Sequence, residues 1–257
     1  MKILILGAGN MGSWLAEALC LEHEVGVYDS DKKKLRFLFN THRFINIQEI
    51  KNFNPDIVIN AVSLQYTIDA YELVLPYLNE NCILSDIASV KNGIKDYYKK
   101  IGRRFVSTHP MFGPTFANIK NLTEENAIII KESDEVGKKF FYDFYNSLKL
   151  NIYEYTFEEH DQKIAISLSL PFATSLVFGI CVKKQKAPGT TYKKHMNIIK
   201  GLMTENNYLI SEVLFSPYSL EKITLMKEKL QELEEIIKNK DTKSLHKLID
   251  FIRKNIE

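Results

Sequence analysis

The sequence lacks the features that mark metal-dependent, disulfide-stapled or charge-driven proteins. Its three cysteines, Cys20, Cys82 and Cys181, are isolated in apolar surroundings. They show none of the CxxC or Cys/His spacing that a metal site needs. Buried thiols in a reducing compartment are expected, and no metal site. Net charge is close to zero, with 34 Lys and Arg against 32 Asp and Glu interspersed along the chain. Bulk attraction to nucleic acid or to a membrane surface is therefore excluded as a driving force. There is no low-complexity tract, and no stretch reads as long and apolar enough to span a membrane. The apolar start, Ile3-Leu4-Ile5-Leu6, is interrupted by Gly7, Gly9 and Gly12 and soon followed by Glu17, unlike a signal peptide. A cytoplasmic protein with neither nucleic-acid nor membrane partners is expected.

What is present is enough chain for one large domain or two modest ones: 257 residues, 45% of them hydrophobic and 26% charged. Up to Thr156, short apolar runs alternate with amphipathic stretches. Strands are predicted over 2–6, 24–29, 56–61, 82–87, 104–108, 126–131 and 150–156, and helices over 10–22, 31–40, 65–78 and 134–148. This alternation predicts a parallel sheet with helices on both faces. After Thr156 only helical runs follow, at about 157–183, 193–215, 219–237 and 242–256, with Pro188-Gly189 and Pro217 as turns. The chain is accordingly divided into an α/β domain, 1–156, and a smaller all-α domain, 157–257. The second and third of those helical runs are apolar for surface elements, with Ile198, Ile199, Leu202, Met203, Leu209, Ile210, Val213 and Leu214. Either these residues complete a core across a homodimer or they pack within the chain.

Residues 7–12 read Gly7-Ala8-Gly9-Asn10-Met11-Gly12, directly after the first predicted strand and directly before a helix. Gly7 permits the tight turn, Gly9 lets the backbone approach a pyrophosphate, and Gly12 allows close helix–strand contact. The second predicted strand ends at Asp29, about 20 residues on, where a carboxylate accepts hydrogen bonds from ribose hydroxyls. Together these predict a Rossmann-type NAD-binding domain. Asp29 would repel a 2′-phosphate, which favours NAD over NADP. Lys32, Lys33 and Lys34 follow closely and are read as a solvated face, with NADP binding as the alternative. Asn10, Met11 and Ser63 complete the expected cofactor-binding set.

Two more motifs lie at predicted strand ends, Asp86-Ile87-Ala88-Ser89-Val90-Lys91 and His109-Pro110-Met111-Phe112-Gly113-Pro114. The carboxyl edge of an open α/β sheet is where ligands bind. A dehydrogenase needs a base for the hydroxyl proton, and histidine suits that task near neutrality. His109 is thus the candidate base, with Ser89 to orient it or to hold the substrate hydroxyl. His23, His42, His195 and His246 are assigned structural or solvated roles.

With the Glu159-His160-Asp161 segment and the Leu170-Pro171 helix that follows it, these motifs resemble the prephenate dehydrogenase family from residue 7 to about 180. The resemblance implies an NAD-dependent oxidative decarboxylation of prephenate to 4-hydroxyphenylpyruvate, in tyrosine biosynthesis. Hydride would leave the carbinol carbon while His109 accepts the hydroxyl proton, and loss of the ring carboxylate would aromatise the ring. Ser89, Lys91, His160 and Lys193 are the implied substrate-binding residues. His160 is also expected to orient the nicotinamide or close the cleft, unless its segment is simply a helix start.

The family pattern is departed from at two places. Lys193, after Thr190-Thr191, stands where an arginine is expected, and a lysine neutralises a carboxylate without gripping it bidentately. Phe172 stands where relatives carry a histidine. Both departures keep arogenate open as the substrate. Neither a chorismate mutase segment nor a regulatory amino-acid-binding module is expected beside these helices, and any inhibition by tyrosine would be expected at the active site. Other readings are a β-hydroxyacid or pyrroline-carboxylate type of oxidoreductase, or a non-catalytic NAD-binding sensor.

Overall fold

The strand Lys2–Leu6 is apolar on both faces, as befits a strand covered by helices on each side. Ile3 and Ile5 pack with Leu15, Leu19 and Phe141, while Leu4 and Leu6 pack with Phe53, Val58 and Val74. In the computed structural model, which describes residues 1–113, 121–183 and 185–256, this strand is β1. It is followed by α1 (Asn10–Leu19), β2 (Glu24–Tyr28), β3 (His42–Phe44), α2 (Glu49–Phe53), β4 (Ile57–Asn60) and α3 (Thr67–Val74). Then come β5 (Ile83–Asp86), α4 (Ile94–Ile101), β6 (Phe105–Pro110), β7 (Asn126–Ile130), α5 (Glu135–Ser147) and β8 (Asn151–Tyr155). Beyond β8 the described residues form helices only: α6 (Phe157–Ile164), α7 (Leu170–Cys181), α8 (Thr190–Leu202), α9 (Asn207–Leu214), α10 (Pro217–Lys238) and α11 (Thr242–Asn255).

The strands make one sheet in the order β3-β2-β1-β4-β5-β6-β7-β8. Neighbours from β3 to β6 are parallel, which gives the Rossmann-type half its expected form. The order reverses between β1 and β4, so the carboxyl ends of these strands flank a crevice. The all-parallel expectation stops at β6. β7 runs antiparallel to it, and β8, reached through the α5 crossover, is parallel to β7.

Several elements differ from the sequence reading. β3 has three residues and carries no alternation long enough to detect. Only Lys32–Phe37 of the helix predicted at 31–40 is helical, as a 3-10 segment. The stretch 65–78 breaks at Pro76, whose ring limits it to α3 followed by the 3-10 turn Leu75–Tyr77. The run 193–215 is two helices, because Asn206 caps α9 by accepting from Tyr208 N–H at 2.8 Å.

Between α6 and α7 the helix widens into a π segment, Ala165–Ser169. Pro171 explains the change, since it has no N–H for the Ser167 carbonyl and its ring presses on that turn. Ser169, in the widened turn, bonds Ser219 at 2.7 Å and the Val213 carbonyl at 3.0 Å, tying α7 to α9 and α10.

Two expectations are corrected here. Phe157–Cys181 is one continuous helix of 25 residues, with an 18-residue window of mean hydropathy 2.0 of which 22% is buried. By length and composition it is able to cross a membrane; Ser and Thr residues scattered through the run hide this in the sequence. Of the cysteines, Cys82 is buried, and burial pushes its thiol up to about 12. Cys181, at the end of α7, is exposed instead, because the apolar residues around it lie on an uncovered helix face.

Candidate active site

Gly7 closes β1 with φ +93°, a conformation that L side chains rarely adopt. A Cβ on Gly12 would fall 1.9 Å from the Gly7 carbonyl oxygen, so α1 can sit on this turn only with glycine there. On the outer side of the loop, a Cβ on Gly9 would meet nothing within 4 Å. Gly9 precedes α1, which no side chain caps, so its first-turn N–H groups are left for a ligand. Asp29 at the end of β2 is pinned to this loop. Its Oδ2 accepts from Ala8 N–H at 2.7 Å and its Oδ1 from Asp31 N–H at 2.8 Å.

Gly7, Gly9, Asp29 and Ser63 line a cavity of about 350 Å³. The loop, the exposed N–H groups and the carboxylate suit the phosphates and ribose of a dinucleotide. Lys34 departs from the reading of a purely solvated face: it lines the same cavity, with its Nζ 3.7 Å from Asp29 Oδ2.

The loop also borders a larger cleft of about 760 Å³ between the sheet edge and the helices. Asn10, Met11, Ser63, Ser89 and His109 line its sheet side, and Phe172, Ser175, Leu202, Glu205 and Tyr208 its helical side. Met111, Phe112 and Gly113 line it too, whereas Pro114 lies outside the described residues. Among the described lining residues the charged side chains are Glu125 and Glu205, with no lysine or arginine. Lys193 is exposed on α8 and does not line the cleft, so the substitute for an arginine expected there is corrected.

His109 sits in β6 and is 5% exposed. Burial pushes its imidazole well below the usual histidine value, and the neighbouring His160 and Lys91 push it further. Its Nδ1 lies 3.0 Å from Nε2 of His160. His160 is fully buried and stands outside the cleft lining, and its Nδ1 lies 2.9 Å from Asp161 Oδ1. The reading of His160 as a substrate or nicotinamide contact is therefore corrected: both of its ring nitrogens are engaged within the protein. Its segment is also a helix start. Thr156 Oγ1 accepts from Glu159 N–H at 3.1 Å and Glu159 Oε2 from Thr156 N–H at 2.8 Å, a capping box that fixes the first turn of α6.

Ser89 lines the cleft after β5, but no described hydrogen bond joins it to His109, whose orienting partner is His160. Lys91 is corrected more sharply. Its ammonium is buried, donating to Asp86 Oδ1 at 2.6 Å and to the Thr108 carbonyl at 2.7 Å. Asp86 Oδ2 accepts from Tyr98 OH at 2.9 Å, and Tyr98 OH is 2.8 Å from Tyr71 OH. Burial, then the Asp86 charge, raises both phenols well above the usual tyrosine value. Lys91 thus anchors the backbone just before His109, and it is absent from the cleft lining.

The sequence reading missed four residues: Asp86, Asp161, Glu125 and Glu205. The first two stand inside the quoted motifs, where their acid type was the available signal. The glutamates carry no local signal, because only the fold brings each of them to the cleft.

Residues 20–151, just over half the chain, match the family described as prephenate dehydrogenase, nucleotide-binding domain. A Methanocaldococcus jannaschii protein described as a probable arogenate/prephenate dehydrogenase is 26% identical over 269 residues, covering 96% of this chain and 58% of that one. The chain spans less than three fifths of the length of the curated relatives it matches. Among solved structures it is similar to Aquifex aeolicus prephenate dehydrogenase in complex with hydroxyphenyl propionate and NAD+. The TM-score is 0.84 at 19% identity, with 100% of this chain and 98% of that one covered. Synechocystis arogenate dehydrogenase gives 0.77 at 18% identity, over 99% of this chain and 98% of that one. At such identities the likeness is one of fold.

Proposed function

The chain belongs to the prephenate dehydrogenase family, and from that premise we propose that it is an NAD-dependent dehydrogenase of cyclohexadienyl acids. The reaction we assign is oxidative decarboxylation of prephenate to 4-hydroxyphenylpyruvate, with His109 as the base. The observation that carries this reading is the position of His109. It is a neutral imidazole with Nδ1 already engaged, at the lip of a cleft that begins on the glycine loop.

Gly7, Gly9, Asn10, Met11, Gly12, Asp29 and Ser63 would hold the cofactor. NAD, when bound, supplies the hydride acceptor. The chain's own part is placement and proton transfer. His109 Nε2 takes the proton of the ring hydroxyl, and Ser89 holds that hydroxyl on the opposite side. Loss of the ring carboxylate as CO2 leaves an aromatic ring, so the driving force lies in the product.

Arogenate is a second reading, favoured by one observation. The described cleft lining carries Glu125 and Glu205 and no cation. Such a cleft suits arogenate, whose ammonium offsets one of its two carboxylates, better than dianionic prephenate, which has no ammonium.

A homodimer through residues 157–257 belongs to the same proposal. Its support is the row of exposed apolar side chains there, including Val177, Ile180, Phe215 and Leu220. Sedimentation across a range of concentrations tests it, and a monomer throughout would end it.

The deciding experiment follows reduced-cofactor absorbance with purified protein, offering prephenate and arogenate with NAD and NADP. Wild-type turnover should fall by roughly 10²–10⁴-fold in His109→Asn, the usual contribution of a general base, with NAD binding kept. A variant near the wild-type rate would remove His109 from the mechanism. NAD binding without turnover of either acid would favour a sensor.

A further inference from the structure

Two imidazoles that share a hydrogen bond cannot both present a lone pair to it, so the proton order along Asp161, His160 and His109 is constrained. A carboxylate only accepts. His160 Nδ1, 2.9 Å from Asp161 Oδ1, must therefore carry a hydrogen. Burial lowers the affinity of His160 for a second proton, so in the neutral ring Nε2 is bare. That bare nitrogen lies 3.0 Å from His109 Nδ1 and must accept from it. The hydrogen of neutral His109 then sits on Nδ1, which leaves Nε2 as a lone pair. A free histidine side chain in water prefers hydrogen on Nε2, so the protein imposes the opposite tautomer.

We propose that Asp161 and His160 are positioning residues that lock His109 in the tautomer able to accept a proton and stabilise the imidazolium formed. The proposal rests on the reading of His109 as the base. When the substrate O–H bond breaks and the Nε2–H bond forms, His109 becomes doubly protonated. Its Nδ1–H still donates to His160, whose opposite edge faces a carboxylate. Positive charge on the base is thereby opposed by Asp161 two steps away, the logic by which a buried aspartate orients a catalytic histidine in other enzymes.

The arrangement is built by distant parts of the chain. His109 comes from β6, and His160 from the first turn of α6, set by the Thr156–Glu159 capping box. His160 touches the cleft nowhere, while Asp161 opens onto a separate surface cavity with Lys95, Asp96, Glu158 and Tyr218. The charged groups around the pair are the Lys91 ammonium, which opposes protonation of both rings, and Asp86, which favours it on His160. Glu125 and Glu205 line the cleft that His109 borders.

The test combines nitrogen NMR of the histidine rings with kinetics of the full chain. In wild type, His109 and His160 should both show hydrogen on Nδ1 and a bare Nε2. Asp161→Asn can turn its amide NH2 toward His160 and reverse both tautomers. Turnover should then fall by roughly 10²-fold, within the range of a lost general base, with KM little changed. The acid limb of the kcat profile should shift to lower pH, because a negative charge opposing the imidazolium is gone. His160→Gln, whose carbonyl still accepts from Nδ1–H, should retain more activity than Asp161→Asn.

A wild-type His109 with hydrogen on Nε2 would overturn the proposal, and that spectrum needs no variant to fold. An unchanged tautomer and rate in Asp161→Asn would do the same. His109→Asn separates the two levels: retained turnover there removes the base itself, whereas lost turnover alongside the wrong wild-type tautomer removes only the relay.

Discussion

Replacing Lys91 by methionine is the sharpest test of how the sheet edge is held. Lys91 and Asp86 are both fully buried, and their side chains are 2.6 Å apart. Methionine fills nearly the same volume but leaves the Asp86 carboxylate, among the described residues, with only Tyr98 OH and Ala88 N–H as donors. The Thr108 carbonyl loses its charged donor as well. Removing one partner of a buried ion pair costs about 3–5 kcal/mol, mostly as an uncompensated charge. In a chain of this size each kcal/mol moves Tm by about 2–4 °C, so Lys91→Met should lower Tm by roughly 6–20 °C. The double variant Lys91→Met/Asp86→Asn removes the charge along with its partner and should recover at least about 2 kcal/mol, since replacing both members is often near neutral. Urea unfolding followed through Trp14, the single tryptophan, measures all three proteins. A single variant within about 1 kcal/mol of wild type would refute the reasoning, as would a double variant no better than the single. A stable Lys91→Met with only a raised KM would return Lys91 to the role of substrate contact.

Two further outcomes follow from the same geometry. Asp29→Asn keeps an acceptor for Ala8 N–H but removes the charge beside Lys34. The preference for NAD over NADP, read as a ratio of kcat/KM values, should fall at least about tenfold, or about 1.4 kcal/mol, and an unchanged ratio would show that Asp29 does not read the ribose. Stability should also fall with acid. His109 and His160 are held below the free value of 6.5 chiefly by burial, so the unfolded chain binds more protons as pH drops below that value. The contribution is intact above about 6.5 and is lost toward the depressed folded values, at about 1.4 kcal/mol per pH unit for each ring. Tm measured from about pH 8 to about pH 5 should decline along that window, and less steeply in His160→Gln. A flat profile would contradict the neutral, buried state of both rings.

The parts of this molecule that were legible in its sequence are those that a short window determines. The glycine turn after β1, Asp29 after β2 and His109 at the end of β6 are set by strand periodicity and by turns that only glycine can make. The reversal at β7 was hidden, because strand direction depends on which neighbour a strand meets and not on its own alternation. Side-chain roles failed for a related reason. Lys91 and His160 stand in motifs beside the sheet edge, and proximity suggested contact with substrate. Whether a residue there faces the cleft or the interior depends on what packs over it. For Lys91 that is Asp86, five residues away, together with the Thr108 carbonyl; for His160 it is a strand 51 residues earlier. Lys193 failed in the opposite sense, since nothing in Thr190-Thr191-Tyr192-Lys193 tells which face of α8 borders the cleft. A motif therefore fixes which chemistry stands at the edge of the sheet, whereas the division between groups that touch ligand and groups that hold those in place is made by tertiary packing. At this edge the division is informative in itself. The one imidazole bordering the cleft is backed by a second that never reaches it, and the one cation in the motifs is spent on the backbone behind the base.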